Sequence, residues 1–262
     1  LTASAATTLA PLVAKGDLTA VALDPLGSPS APQSGTLKMP FPLWFAPKAL
    51  DLLGLPSPVG ASLPLTLVLD ATGKVVWEYQ APAHVEVHAC QPLPNGRVLI
   101  VEGGTSRIIE VDRRGRIAKE VKLTTLPSIS THNQFRGTRK FSNGHYVVCF
   151  KGEGKIVELS VSGKTLREIK VPGDPHAAVP LPKGHLLITC GDAHKVLEVD
   201  RKGKTVWELN ENDVPGNPLR LMAGCQRLPN GNTVCCNYLG HGHIGEQPQF
   251  FEVTPSKQLV WS

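Results

Sequence analysis

His88 and His176 each stand eight residues ahead of a turn glycine, Gly96 and Gly184, and the residues at the same distance from Gly144 and Gly231 are Arg136 and Ala223. An imidazole at such a position can move a proton, attack an electrophile, hold a metal or bond an anion. A guanidinium binds anions. His132 lies four residues ahead of Arg136. His88, His132, Arg136 and His176 therefore form one candidate ligand set, and both an anion and a metal remain open for it. No carboxylate of matching spacing completes a metal site, so no metal is assigned. Arg220, His241 and His243, in the lengthened connections of the last blade, are further candidate ligand-binding residues. If the protein is an enzyme, His88 and His176 are its catalytic candidates.

What positions these residues is a repeat. The stretch Val68–Tyr79, read as strand, turn and strand, recurs with turns starting at Asp70, Asp112, Ser160, Asp200 and Thr254, in steps of 42, 48, 40 and 54 residues. Its third turn residue after the start is glycine in four copies and Lys257 in the last. A second turn alternates with the first: Leu93–Gly96, Phe141–Gly144, Leu181–Gly184 and Leu228–Gly231. Asn-Gly supplies the positive φ values of a tight hairpin. Near-continuous apolar runs follow, such as Val98–Val101 and Leu186–Thr189, which marks strands buried on both faces. Each unit is thus four strands, A to D, with tight A–B and C–D turns at one end. The D–A and B–C connections lie at the other end. No segment of a repeat has helical periodicity. The expected fold is all-β, a β-propeller of four-stranded antiparallel blades. Four full blades and a half-blade at 65–79 are visible, and five or more are needed to close a ring.

This architecture sorts the nine histidines. His84, His88, His132, His176, His194, His241 and His243 fall on the D–A and B–C side, where connections vary in length. His145 and His185 directly follow A–B turns. Function gathers on variable loops, so that His-rich face is the expected binding face.

Residues 1–64 differ. They hold 10 of the 23 prolines and no histidine, and read as an irregular arm or linker that can donate a strand to the ring. Residues 65–262 are the propeller, expected to be truncated at its C-terminus because Trp261-Ser262 stops inside a strand that runs longer in earlier copies. The chain opens Leu1-Thr-Ala-Ser, which reads either as the far side of a signal-peptide cleavage site or as a truncated end; a periplasmic or secreted location is expected. Net charge is +5, but no Lys/Arg run reaches five residues and aromatics are 5%, which argues against nucleic acid. No apolar run approaches the length of a membrane-spanning helix. The six cysteines follow no disulfide or zinc spacing and read as buried thiols.

Asp70-Ala-Thr-Gly73-Lys-Val-Val-Trp77 resembles the tryptophan-bearing repeat of quinoprotein-type (PQQ-like) β-propellers, and Glu198–Glu208 is a good second copy. The resemblance covers residues 65–262 and implies that Trp77, Trp207 and Trp261 dock one blade on the next. Lys119 and Arg167 replace the tryptophan in the other copies. That family also implies a quinone cofactor held against a vicinal disulfide, for which Cys235-Cys236 is the only adjacent pair. Here the pair lies in a B strand, and no calcium-binding partners accompany it, so no cofactor is assigned. Histidine followed by Leu-Pro-Asn-Gly is similar to the propeller arylsulfotransferases, which implies histidine-mediated sulfuryl transfer. The reading from the residues themselves is a non-catalytic binding or scaffold module. Its partner is a protein or a small anionic ligand on the variable-loop face. The alternative is an arylsulfotransferase-like enzyme. Glu110, Glu158, Glu198 and Glu252, one per C strand, are read as partners of neighbouring basic residues and not as a carboxylate ring.

Overall fold

The computed structural model describes residues 65–69, 75–240, 243 and 245–262. The N-terminal arm and the Asp70–Gly73 turn, with the roles expected of them, lie outside the described residues. The chain divides into two compact units, 1–120 and 121–262.

In the first unit, β1 (Leu65–Leu69) and β2 (Val75–Gln80) form the half-blade, and β3 (Glu86–Pro92), β4 (Val98–Gly103), β5 (Arg107–Val111) and β6 (Ile117–Lys122) form blade 1 in the order β3-β4-β5-β6. All six residues of β4 are buried, as its unbroken apolar run requires. Half-blade and blade share a core in which Trp77 and Tyr79 pack on Ala81, Val85, Val87, Ile100 and Ile109. Two side-chain bonds reinforce it. Trp77 Nε1 donates to the Asp112 carbonyl at 3.1 Å. The Tyr79 hydroxyl donates to the fully buried Glu102 carboxylate, which also accepts from Thr105 Oγ1 at 2.7 Å and Arg107 Nε at 2.6 Å. A buried carboxylate is tolerated only when its charge and lone pairs are matched in this way.

The second unit holds three more blades. Blade 2 is β7 (Phe135–Lys140), β8 (Tyr146–Phe150), β9 (Lys155–Leu159) and β10 (Thr165–Lys170). Blade 3 is β11 (Ala177–Pro180), β12 (Leu186–Thr189), β13 (Val196–Val199) and β14 (Thr205–Leu209). Blade 4 is β15 (Leu221–Arg227), β16 (Thr233–Tyr238), β17 (Phe250–Val253) and β18 (Leu259–Trp261). Every pairing is antiparallel. The core lies between blades. One cluster joins Val147, Cys149 and Ile156 of blade 2 to Ile188 and Leu197 of blade 3. Another joins Leu187, Val196 and Leu209 of blade 3 to Met222, Cys225 and Phe251 of blade 4. Each such fully buried aliphatic or aromatic side chain contributes about 1.5–3 kcal/mol, so a blade is stable only against its neighbour. The fold class is the β-propeller: the described residues are all-β, with four four-stranded antiparallel blades, a two-stranded half-blade and almost no helix.

Docking follows the first unit's pattern. Trp207 Nε1 donates to the Pro255 carbonyl at 2.8 Å. Arg167, in the tryptophan's place, donates from Nη1 to the Arg201 carbonyl at 2.7 Å. Trp261 bonds within its own blade, to Glu252 at 2.6 Å.

The turns refine one expectation. Gly96, Gly144 and Gly231 have positive φ while the asparagines before them do not. Each glycine N–H closes a turn onto the leucine or phenylalanine three residues back, and the asparagine side chain accepts from the residue after the glycine, as Asn95 does from Arg97 at 3.1 Å. Only at Lys183-Gly184 are both φ values positive, 61° and 77°. In the last C–D turn Lys257 takes the glycine's place at φ 67° and pairs with Asp213 at 2.9 Å.

Candidate functional site

The position eight residues before each turn glycine is structurally distinct. In β3 the register passes from Val87↔Glu102 to Ala89↔Val101, so His88 is an extra residue in a β-bulge. Arg136 lies in the corresponding shift of β7, and Ala223 in that of β15. In blade 3 the N–H groups of His176 and Ala177 both go to Thr189, one to its carbonyl at 3.0 Å and one to its hydroxyl at 2.8 Å. A bulge re-aims one side chain away from the strand's alternation, so the repeat presents a chosen residue at the head of each A strand.

In the first unit His88 Nε2 lies 2.8 Å from the Glu86 carboxylate, with side chains 14% and 39% exposed. The acid two residues earlier is the partner, and no metal-ligand spacing marks it in the sequence. In a strand i and i+2 share a face; Asp174 also stands two residues ahead of His176, in the connection before β11.

In the second unit the A strands of blades 2 and 3 touch. Gly137 N–H donates to the His176 carbonyl at 2.8 Å, and a Cβ at Gly137 would lie 2.7 Å from that oxygen. His176 Nδ1 is 2.9 Å from the Asp174 carbonyl. A carbonyl only accepts, so Nδ1 carries the proton. Nε2 makes no hydrogen bond among the described residues. The His176 side chain is 11% exposed, and burial holds its pKa down to about 4 against the pull of the Asp174 carbonyl, helped by the Arg136 and Lys151 charges. It is a neutral acceptor at pH 7. Asp174 also accepts from the Asp192 N–H at 2.9 Å and pairs with Lys151 at 3.4 Å. The Asp174 carboxylate holds the Asp192 carboxyl above the usual range. Lys151 Nζ further donates to Asn133 Oδ1 at 2.6 Å. Arg136 donates to the His132 carbonyl at 2.6 Å, and its Nη2 lies 3.1 Å from His132 Nε2. Gly191, at φ 45°, makes this possible: a Cβ there would lie 2.0 Å from Asp174 Oδ1 and 2.7 Å from His176 Nδ1. The unit thus brings together His132, Arg136 and His176 with Lys151, Asp174 and Asp192, three charged residues that composition alone did not single out.

The chain matches the Mal s 1 allergenic protein-like family over residues 61–238. It belongs to that family. A Bacteroides caccae protein of unknown function is 29% identical to this Mal s 1-like chain, with TM-score 0.67, over 76% of this chain and 74% of that one. A streptogramin B lyase (17% identity, TM-score 0.54, 75% and 60% coverage) shares the fold. So does a catalytically inactive histidine-to-alanine variant of virginiamycin B lyase from Staphylococcus aureus with quinupristin (17% identity, TM-score 0.54, 76% and 62%). The chain spans about three-fifths of those lyases. No curated protein matches.

The remaining candidates of the Mal s 1-like chain are dispersed. The 210–220 connection is anchored: Val214 and Leu219 are buried in the blade 3–4 core. Asn237 clamps it by accepting from the Arg220 N–H at 2.7 Å and donating to Asn217 Oδ1 and the Pro218 carbonyl. The Arg220 side chain is exposed, and its carbonyl faces His194 Nδ1. His243, exposed, pairs with Glu246 at 2.9 Å. His241 lies outside the described residues. His145 and His185 face Glu158 and Glu198 at 3.2 and 2.7 Å. Glu110 pairs with Arg97 at 3.4 Å and Glu252 accepts from Asn232 at 2.6 Å, so each C-strand acid is matched locally. All six cysteines are free thiols. Burial pushes Cys190 and Cys236 up to about 12 and raises Cys149, Cys225 and Cys235 as well, which keeps them protonated. Among the described residues no helix is long and apolar enough to cross a membrane.

Proposed function

We propose that the protein is a non-catalytic propeller module that binds a small anionic ligand on its D–A and B–C loop face, at the heads of β7 and β11. The observation that carries this reading is the convergence of Arg136, Lys151 and a neutral, largely buried His176 at the junction of β7 and β11. Arg136 and Lys151 supply cationic donors, with Asp174 holding Lys151 in place, and a built cluster of polar groups at a loop face is where ligands bind. Titration calorimetry of the full chain against acetate, citrate, sulfate and phosphate tests it. At least one anion should bind saturably, and Arg136→Ala should weaken that binding about tenfold, the loss of one charged contact. Absence of saturable binding to all four overturns the reading.

A second reading is kept because His176 is also equipped as a nucleophile or base. In the arylsulfotransferase-like alternative, Nε2 attacks the sulfur of an aryl sulfate, the aryl O–S bond breaks and the phenolate leaves, taking up a proton from water. The lyase neighbours show that this fold can house catalysis, but at 17% identity they lend the fold alone. Release of phenol from an aryl sulfate, abolished in His176→Ala, would establish an enzyme; no release would remove it.

A further inference from the structure

We propose that this site, if it is the anion site argued above, selects anions that carry their own hydrogen-bond donor beside the charge, a monohydrogen phosphate or a hydroxy acid, over anions that offer only oxygen lone pairs. The inference deepens the preceding reading and rests on it.

The Asp174 carbonyl, 2.9 Å from Nδ1, fixes which ring nitrogen bears hydrogen. Nε2 is then a bare acceptor. It has no partner among the described residues, and it is not among the sealed side-chain atoms that lack one. The charged and titratable groups facing the ring are Arg136 from β7, Lys151 from the blade 2 B–C connection, Asp174 from the D–A connection and Asp192 from the blade 3 B–C connection. The Arg136 and Lys151 cations, together with burial, oppose a second proton on the ring, which therefore stays an acceptor down to about pH 4. A ligand entering here meets cations that want negative oxygens and one nitrogen that wants an O–H. Sulfate satisfies the first and sets its lone pairs against Nε2. Hydrogen phosphate at pH 8 has the same shape and charge and satisfies both. A site that leaves a buried acceptor unpaired discriminates strongly against the ligand that fails to pair it. His176 keeps about a tenth of its side chain in reach of water, so water competes and the discrimination is correspondingly smaller.

The test is titration calorimetry of the full chain at pH 8 with inorganic phosphate and with sulfate, repeated on His176→Met and His176→Gln, with a circular-dichroism melt to show that each is folded. Phosphate should bind about tenfold more tightly than sulfate or better. Met, which fills the space without an acceptor, should reduce the ratio to about twofold. Gln, whose Oε1 accepts, should retain more of it; if Met does not fold, His176→Leu takes its place as the variant without an acceptor. Equal affinities in the unsubstituted protein overturn the inference and leave the anion site standing. An undiminished preference in the folded variants overturns the role of His176. Binding of acetate while neither phosphate, sulfate nor citrate binds also overturns the inference and spares the site; citrate, itself a hydroxy acid, binding in preference to acetate and sulfate supports it. If none of the four binds, the site itself is lost.

Discussion

His88 and His176 occupy the same place in two copies of one repeat, yet their chemistry differs. Each heads an A strand, and each follows an acid by two residues. His88 turns Nε2 to the carboxylate of Glu86. His176 turns Nδ1 to the main-chain carbonyl of Asp174, leaving that carboxylate to Lys151 and the Asp192 N–H. The first arrangement gives the ring a charge partner, whereas the second keeps it neutral with a vacant nitrogen. Repetition decides where a residue stands; the loops around it decide what it can do.

The largest test of that contrast is Gly191→Ala. Its Cβ would enter the space of Asp174 and His176, so we expect a loss of about 3 kcal/mol or more in urea denaturation, with loss of any anion binding. A substitution that leaves both intact would mean that the B–C loop does not set the site. Next is pH. The folded His176 titrates near 4 and the unfolded one near 6.5, so between those values only the unfolded chain takes up the proton. Its share of stability is complete above 6.5 and falls as pH drops toward 4, by up to about 3 kcal/mol. Denaturation at a series of pH values should show this slope, and His176→Gln should flatten it. Asp174→Ala, which strands the Asp192 N–H and Lys151, should cost about 2 kcal/mol in the same assay. The smallest effect belongs to Glu86→Ala: its half-exposed pair with His88 is worth about 0.2–1 kcal/mol, and a cost equal to that of Asp174→Ala would erase the distinction.

Much of the fold was legible because blades repeat. Glycine turns, apolar B strands and a docking residue recur at fixed offsets, and each has one physical meaning wherever it appears. Val98–Val101 is buried because it is apolar throughout, and Trp77 docks because a long flat donor beside a turn has few alternatives. The site was only half legible. His176 and Arg136 stood out by position, but Lys151, Asp192 and Gly191 come from other connections and meet His176 only through folding. Glu86 was visible in principle, since neighbours two apart in β3 share a face, whereas Asp174 lies in the connection before β11 and meets His176 through the course of that loop. Which ring nitrogen holds the proton depends on a carbonyl direction, and residue identity carries no trace of that. The 210–220 connection has the prolines, glycine and asparagines of a loose loop, yet Val214, Leu219 and the Asn217–Asn237 contact fasten it.

The joint between blades asks its neighbour for nothing but a peptide oxygen. Trp77, Arg167 and Trp207 all find one, although the residues offering it are Asp112, Arg201 and Pro255. No side chain on the accepting turn has to co-adapt with the donor. A gene segment encoding one blade can therefore be copied beside itself and still couple at once. Its turn is then free to drift in sequence while the coupling persists.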